Sequence, residues 1–315
     1  MYALTTAKIS SRHLEPIMQQ YPDLLIEHVN SEEILSRISE AEIIISYGED
    51  LTSEIISEAI NLKWLMVMSA GIDKLPLNQL MKQEILVTNA RGIHKNPMAE
   101  HAFALMLQDS RRLIPLLDFQ RAKDWDRSIR VRELTGLNLV IVGAGAIGQE
   151  VARKAKAFDM NTFGISYSGK GLANIDKMYK ADGLWEVLPQ ADYIVLITPL
   201  TPQTRDMFGE REFKGMKKDC FFINIARGEV VQEDALVKAL KEGWIRGAAI
   251  DTFREEPLPK NSPLWDLPNL VITPHLAGLT PHYMERAVEI FKHNLEIYTS
   301  GKGTMKNIVD LRKGY

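Results

Sequence analysis

Leu139-Val140-Ile141-Val142-Gly143-Ala144-Gly145-Ala146-Ile147-Gly148-Gln149-Glu150-Val151-Ala152-Arg153 decides how the rest of the chain is read. An apolar run of strand character leads straight into G-x-G-x-x-G, which opens an amphipathic stretch with helical spacing. In a strand–turn–helix unit each glycine has its own task. Gly143 allows the tight turn, Gly145 lets the backbone approach a pyrophosphate, and Gly148 lets helix and strand pack closely. The unpaired N–H groups that open the helix, at Ala146, Ile147 and Gly148, then meet the pyrophosphate at the positive end of the helix dipole. A G-x-G-x-x-G alone also describes an ordinary turn; the strand before it and the helix after it favour a dinucleotide site. The motif lies near the middle of 315 residues, so another unit must precede it.

Composition narrows the setting. The length is generous for one hydrophobic core and suits two domains. A net charge of −3 gives no footing for a nucleic-acid or anionic-membrane surface. Cys220 stands alone, which excludes an internal disulfide framework or a cysteine-rich metal site and suits a reducing compartment. The opening Met1-Tyr2-Ala3-Leu4-Thr5-Thr6-Ala7-Lys8 lacks the charged-then-apolar layout of a signal peptide. No apolar run approaches the roughly 18 residues of a membrane span. The expectation is a soluble, cytoplasmic protein with a small-molecule ligand, no metal, and no nucleic-acid or membrane partner.

Before the fingerprint, residues 2–91 alternate strand-like runs (Tyr2–Ala7, Leu24–Val29, Ile43–Tyr47, Trp64–Met68, Ile85–Asn89) with helix-like ones (Arg12–Gln20, Glu32–Ile38, Ser53–Ala59, Asn78–Lys82). Ser31 followed by Glu33, and Thr52 before Ser53-Glu54, have the form of helix starts. Such alternation implies a parallel sheet with helices on its faces. No glycine fingerprint sits in this unit, so it is read as a partner domain. Pro97 suits a first helical turn, and residues 98–117 that follow carry Met98, Ala102, Phe103, Leu105, Met106, Leu107, Leu113, Ile114, Leu116 and Leu117. That is too apolar for a helix with one face in water. Two readings stay open, a buried helix between domains and a subunit interface; the second makes the protein a homodimer through the 97–118 region.

After the fingerprint helix, strands are expected at Thr162–Ser166, Tyr193–Thr198, Phe221–Asn224, Gly247–Ile250 and Val271–Thr273, with helix-like stretches between them. A last helix over Met284–Tyr298 is expected to return to the first unit. The fold class is therefore α/β, with two doubly wound parallel-sheet domains. A flavodoxin-like substrate domain takes 1–91 and 281–315, and a Rossmann cofactor domain takes 92–280.

Three later segments stand at expected strand ends: Ile223-Asn224-Ile225-Ala226-Arg227-Gly228-Glu229-Val230-Val231, Ala249-Ile250-Asp251-Thr252-Phe253-Arg254-Glu255-Glu256-Pro257 and Ile272-Thr273-Pro274-His275-Leu276-Ala277-Gly278. Ligands of open α/β sheets bind at such ends. Arg227 offers a planar fork for bidentate carboxylate contact. His275 can act as acid or base near neutral pH. Glu256 can hydrogen-bond the imidazole and stabilise its protonated form. Singly, each has a plainer reading: a solvated ion-pair arginine, a turn histidine, a water-facing glutamate. His94, His101 and His282 are the nearest rival histidines, and none stands in a Pro-His-x-Ala-Gly context.

With Thr198-Pro199-Leu200-Thr201-Pro202-Gln203-Thr204, Ser69-Ala70-Gly71-Ile72-Asp73 and Ala99-Glu100-His101, these segments resemble the D-isomer-specific 2-hydroxyacid dehydrogenases over nearly the whole chain. The resemblance implies a substrate-binding Arg227, an acid/base His275 and an orienting Glu256. It puts Ser69, Ala70 and Gly71 on the substrate carboxylate through backbone N–H groups, otherwise a simple turn. It puts Asp251 on the nicotinamide carboxamide, otherwise a cap or turn residue. It makes Thr198, Pro199 and Thr204 the adenine wall, and adds Ile225, Ala226, His275 and Gly278 to the cofactor contacts. Met98 is placed near the nicotinamide pocket or, more simply, in the core.

The chain departs from the NAD pattern at one point. An acidic residue is usual about 20 residues after the glycines, on the ribose 2′-OH. Here the second strand ends Gly164-Ile165-Ser166-Tyr167-Ser168-Gly169-Lys170, with Asp159 before it and Asp176 well after it. Ser166, Tyr167, Ser168 and Lys170 make a hydroxyl-rich tip that tolerates a 2′-phosphate, although no arginine is present. NADP(H) is expected to be accepted and slightly preferred over NAD(H). The expected function is reduction of a small 2-keto acid, glyoxylate or hydroxypyruvate first, pyruvate or similar next, to the D-2-hydroxy acid. A phosphoglycerate dehydrogenase-like activity is the alternative; with the sequence ending at Tyr315, the extension of the long enzymes of that type is not expected. A nucleotide-sensing corepressor is the alternative of another class.

Overall fold

The computed structural model describes residues 1–30, 33–72 and 74–312. They form two compact units, Met1–His94 with Thr280–Tyr315, and Lys95–Leu279. Ser31 and Asp73, singled out above as a helix start and as part of a motif, lie outside the described residues.

In the first unit, β1 (Tyr2–Thr5), β2 (Leu25–His28), β3 (Ile43–Ser46), β4 (Trp64–Val67) and β5 (Leu86–Asn89) form a parallel sheet in the order β2-β1-β3-β4-β5. That is the flavodoxin-like order. β3 and β4 are buried at every position, which is why Ile43-Ile44-Ile45 and Trp64-Leu65-Met66-Val67 are unbroken apolar runs rather than alternating ones. Ile34, Ile38, Ile56 and Leu80 cover one face. Leu14 and Ile17 cover the other together with Ala287, Val288, Phe291 and Leu295 of the helix Tyr283–Ser300. The C-terminal helix thus completes this unit's core, and Phe291 stacks on Trp64 with ring centroids 5.3 Å apart. Thr52 caps the helix Ser53–Glu58 by accepting the Ile55 N–H.

In the second unit, β6 (Asn138–Val142), β7 (Asn161–Ile165), β8 (Lys177–Tyr179), β9 (Tyr193–Leu196), β10 (Phe221–Asn224), β11 (Gly247–Ile250) and β12 (Leu270–Ile272) form one parallel sheet. Its order is β12-β11-β10-β9-β6-β7-β8. The order reverses beside β6, so the carboxyl ends of β6 and β9 flank a topological switch point, where such sheets take their ligands. β8 is an addition to the sequence reading. Three residues between Asp176 and Lys180 carry too little pattern to be seen.

The apolar stretch 98–117 is not one helix but two. Lys95–Ser110 packs Ala99, Ala102, Phe103 and Met106 against Val151, Ala152 and Ala155 of the fingerprint helix Ala146–Ala157, with Met98 at the margin of the same core. Arg112, at φ 57°, breaks the run, and Leu113–Ala122 follows with no buried residue. At the C-terminal end of the first of these helices, buried Asp109 accepts from Arg246 Nη1 at 2.6 Å and from the Tyr193 hydroxyl at 2.7 Å. This ties the helix to β9 and β11, although Arg246 Nη2 has no hydrogen-bond partner among the described residues.

Candidate active site

The fingerprint turn separates the tasks of its glycines. Gly143 has φ +100°, and a Cβ there would fall 2.6 Å from Thr198 N and 2.7 Å from Ile197 C. A Cβ on Gly148 would fall 2.9 Å from Gly143 O and 3.0 Å from Ile141 Cγ2. Both therefore serve close packing. At Gly145 a Cβ would meet nothing within 4 Å. The N–H groups of Gly143 and Ala144 are both spent on Ile165 O at 3.0 Å, and the first helical bond runs from Gln149 N–H to Gly145 O at 2.9 Å. The N–H groups of Ala146, Ile147 and Gly148 precede that bond and open onto the space beside Gly145. Donors, dipole and clearance together fit a pyrophosphate.

Thr198 and Pro199 follow β9, next to this turn. Thr204 donates its hydroxyl to Pro199 O at 2.7 Å and accepts the Thr201 N–H at 2.8 Å. Its proton is committed, so Thr204 shapes the 199–204 turn rather than offering a donor outward. At the tip of β7, Ser166 N–H donates to Tyr179 O at 3.1 Å. Ser166 Oγ accepts the Gly169 N–H at 3.2 Å and Ser168 Oγ accepts the Lys170 N–H at 3.3 Å. Tyr167 is 91% exposed. Asp176 lies at the opposite end of β7, where it accepts the Thr162 N–H and pairs with Lys156.

The catalytic candidates of this unit stand after β10, β11 and β12. Buried Asn224 brackets the turn that presents Arg227: its Oδ1 accepts the Ala226 N–H at 2.9 Å and its Nδ2 donates to Arg227 O at 3.2 Å. Arg227 Nη1 donates to Ala226 O at 2.8 Å. Ile225 and Ala226 have side chains in the core, so only their backbone can face a cofactor. Gly228 admits no side chain, since a Cβ would fall 2.0 Å from Phe253 C. The Arg227 turn is thereby seated directly on the backbone that leads to Glu256.

Glu256 uses its two oxygens in two directions. Oε1 accepts the Phe253 N–H at 2.9 Å, and Oε2 meets His275 Nδ1 at 2.8 Å. The second contact assigns the proton of a neutral imidazole to Nδ1 and leaves Nε2 for a reacting partner. The imidazole is half exposed, at 50%. His275 has φ 53°, a left-handed conformation that costs a non-glycine residue energy and persists only where surroundings impose it. The constraint is visible: His275 N–H donates to Asp251 O at 2.8 Å and to Thr273 O at 3.1 Å.

Asp251 has a structural task that its motif did not suggest. It is 1% exposed, and its carboxylate clamps the whole His275 loop. Oδ1 accepts from Thr273 Oγ1 at 2.6 Å and from Leu276 N–H at 2.9 Å, while Oδ2 accepts from Ala277 N–H at 2.9 Å, just before Gly278. The hydrogen bonds on the carboxylate offset the cost of burying its charge. His101, from the helix Lys95–Ser110, completes the chain, its Nε2 lying 3.2 Å from Thr273 Oγ1 and 3.8 Å from Asp251 Oδ1. Because Thr273 donates onward to Asp251, His101 is the donor to Thr273. Burial pushes the His101 imidazole below its ordinary range, against the pull of the Asp251 carboxylate. The sequence offers His101 only as a rival histidine and as part of a matching segment, and gives Thr273 no role of its own. Nothing in their spacing reveals that a helix side chain 172 positions away meets the end of β12.

In the first unit, Ser69 Oγ donates to Gly71 O at 2.9 Å, and Asn89 Nδ2 donates to Ala70 O at 2.8 Å. The 69–71 loop after β4 is thus fixed through its carbonyls. The rival His282 pairs with Glu285 at 3.2 Å in that unit, and His94 rests edge-on against Tyr283.

Comparison with known proteins settles the class. The model of the D-isomer specific 2-hydroxyacid dehydrogenase NAD binding domain matches residues 103–277. The chain belongs to the D-isomer-specific 2-hydroxyacid dehydrogenases. It is 34% identical to a glyoxylate reductase of Pyrococcus furiosus over 295 residues, covering 90% of this chain and 88% of the relative. It is also 34% identical over 286 residues to a D-3-phosphoglycerate dehydrogenase of Methanocaldococcus jannaschii, covering 90% of this chain but 54% of that one. Among solved structures, an acyclic imino acid reductase in complex with NADPH and D-Arg matches with a TM-score of 0.84 at 28% identity, covering 98% of this chain and 100% of the other. The dehydrogenase is therefore an oxidoreductase with a nicotinamide-dinucleotide domain. No helix of the described residues is long and apolar enough to cross a membrane.

Proposed function

We propose that this dehydrogenase reduces a small 2-keto acid, glyoxylate or hydroxypyruvate before pyruvate, to the D-2-hydroxy acid. The observation that carries the reading is the 2.8 Å contact of Glu256 Oε2 with His275 Nδ1, which aims the other imidazole nitrogen outward. When bound, NAD(P)H would supply the hydride. Arg227 binds the substrate carboxylate through its guanidinium fork, and Ser69, Ala70 and Gly71 are assigned to substrate binding. As the carbonyl oxygen gains negative charge, His275 Nε2–H delivers a proton to it, and Glu256 stabilises the imidazolium that exists before transfer. Asp251 keeps the His275 loop in place and is assigned to the nicotinamide carboxamide through the lone pairs its clamp leaves unused.

The cofactor half rests on Gly143, Gly145, Ala146, Ile147 and Gly148 for the pyrophosphate, and on Thr198, Pro199 and Thr204 as the adenine wall. NADP(H) is taken slightly in preference to NAD(H), because Ser166, Tyr167, Ser168 and Lys170 put no carboxylate at the tip of β7. The NADPH bound by the imino acid reductase supports the same choice. A panel of glyoxylate, hydroxypyruvate, pyruvate and 3-phosphoglycerate, each assayed with both cofactors in the appropriate direction, tests both halves. Phosphoglycerate oxidation as the dominant activity would favour the phosphoglycerate dehydrogenase reading, which the Methanocaldococcus relative supports. A tenfold preference for NADH would overturn the cofactor assignment.

The helix Leu113–Ala122 supports a second copy of the chain as partner. It buries no residue of its own, exposes Leu113, Ile114 and Leu117, and is followed by Trp125, also exposed. Contiguous exposed apolar side chains mark association surfaces, and two-fold pairing is the commonest form. A dimer by light scattering that Leu117→Glu turns into monomer is the expected result; a monomeric unmodified protein would remove the homodimer.

A further inference from the structure

A single flexible lysine is a weak holder for a 2′-phosphate, whose monoester carries nearly two negative charges at neutral pH. Within 166–170 the only cation is Lys170. The short strand β8 brings a second one. β8 runs parallel to β7 with Tyr179 level with Ile165, and Ser166 N–H donates to Tyr179 O. Lys180 therefore leaves the sheet at the carboxyl edge beside Ser166. A Cβ on Gly169 would lie 2.8 Å from Lys180 Cγ and 3.2 Å from Lys180 N. The lysine stem is laid directly against Gly169, which turns the chain at φ +62°. The backbone below it is anchored, since Lys180 O accepts the Gly183 N–H at 3.0 Å.

Neighbouring lysines are occupied. Lys177 lies over the Tyr179 ring at 4.5 Å, and Lys156 pairs with Asp176. Among the described residues, the ammonium groups of Lys170 and Lys180 have no hydrogen-bond or ion-pair partner. The serines add direction. Ser166 Oγ and Ser168 Oγ each accept a backbone N–H within the turn, which leaves each hydroxyl proton to be donated to an anion.

We infer that Lys180 is a cofactor-specificity residue, which with Lys170 clips the 2′-phosphate of NADP(H) against the hydroxyls of Ser166 and Ser168. The inference rests on the dinucleotide reading of the second unit and names the residue that would carry its preference. Lysine suits the task as a compact charge with three donors on a flexible stem, and the exposed position keeps each contact modest.

Titration calorimetry on the full chain tests it without turnover, using adenosine 2′,5′-bisphosphate and 5′-AMP as probes. The unmodified protein should bind the bisphosphate more tightly. Lys180→Met, which keeps the stem against Gly169, should weaken bisphosphate binding about tenfold, the loss of one charge-assisted contact at an exposed site, while AMP affinity stays where it was. Lys180→Arg should retain most of the preference, and Lys170→Met should lose a similar share. Unchanged bisphosphate binding in Lys180→Met would overturn the inference and leave the NADP(H) reading standing. Failure of the unmodified protein to distinguish the two probes would remove that reading and the inference with it.

Discussion

The carboxyl ends of β10, β11 and β12 and those of β7 and β8 lie on the same edge of one parallel sheet, yet they are built in opposite ways. After β11 and β12, buried Asp251 takes three donors, His275 is forced into a left-handed conformation, and Glu256 is tied at both oxygens. After β7 and β8, Tyr167 stands in water and two lysines carry ammonium groups without a partner among the described residues. On the proposed function, the difference follows from what each end would have to do. Proton transfer tolerates little displacement of the donor, so its loop is fixed by buried hydrogen bonds. Choosing between a hydroxyl and a phosphate needs only the sign and number of nearby charges, which an exposed turn supplies without loss of stability.

The largest effect is expected at the fixed end. His275→Asn should lower kcat by about 10²–10⁴-fold, the usual contribution of a positioned general acid. Binding of NADPH, followed by fluorescence titration, should be nearly unaltered. Full turnover in that variant would end the assignment of the acid. Next comes the clamp: Asp251→Ala strips the acceptor from Thr273 Oγ1, Leu276 N–H and Ala277 N–H. Buried donors left unpaired cost about 1–3 kcal/mol each, and loop relaxation should cost roughly 10²-fold in kcat, as small misplacements do. Denaturant melts and steady-state rates together check this; a stable, fully active Asp251→Ala protein would mean the loop is held some other way.

How much of this contrast could be read in the sequence depends on how local its causes are. The glycine turn was legible because one short segment contains the strand, the turn and the helix. Gly143 and Gly148 meet backbone in the structure and Gly145 meets open space, as the motif implied. The parallel sheets were legible because strands buried on both faces read as apolar runs, as in Ile43-Ile44-Ile45 and Phe221-Phe222-Ile223. What escaped is non-local or short. The chain from His101 through Thr273 to Asp251 joins a helix to two strand ends far apart in sequence. Lys177–Tyr179 is too brief to announce a strand, so Lys180 could not be placed. The 98–117 stretch reads as one apolar helix because apolar content does not reveal the left-handed break at Arg112.

A smaller effect is expected at the exposed end. Ser166→Asp keeps an acceptor for the Gly169 N–H while placing a carboxylate where the hydroxyl stood. It should move the ratio of kcat/KM for NADPH over NADH by about tenfold toward NADH, roughly the worth of one exposed charge contact to phosphate. The melting temperature should hardly change, because the tip contributes little to the core. A fall in stability comparable to that of Asp251→Ala would erase the distinction between the two ends.

The smallest effect, and the one that probes the clamp most delicately, is a dependence on pH. Burial holds the folded-state His101 imidazole below the ordinary value near 6.5. Above about pH 6.5 both folded and unfolded chains keep this side chain neutral, and it adds no pH dependence. As the pH falls through that value, the unfolded chain takes up a proton that the folded one resists, so stability declines until the folded-state imidazole protonates as well. His101→Gln replaces the titrating donor with a neutral amide that can still reach Thr273 Oγ1. Its stability should therefore fall less steeply between pH 6.5 and 5 than that of the unmodified protein, when both are followed by urea unfolding. Parallel curves would mean that His101 is already as free to protonate when folded as when unfolded, and that the Thr273–Asp251 clamp does not depend on keeping it neutral.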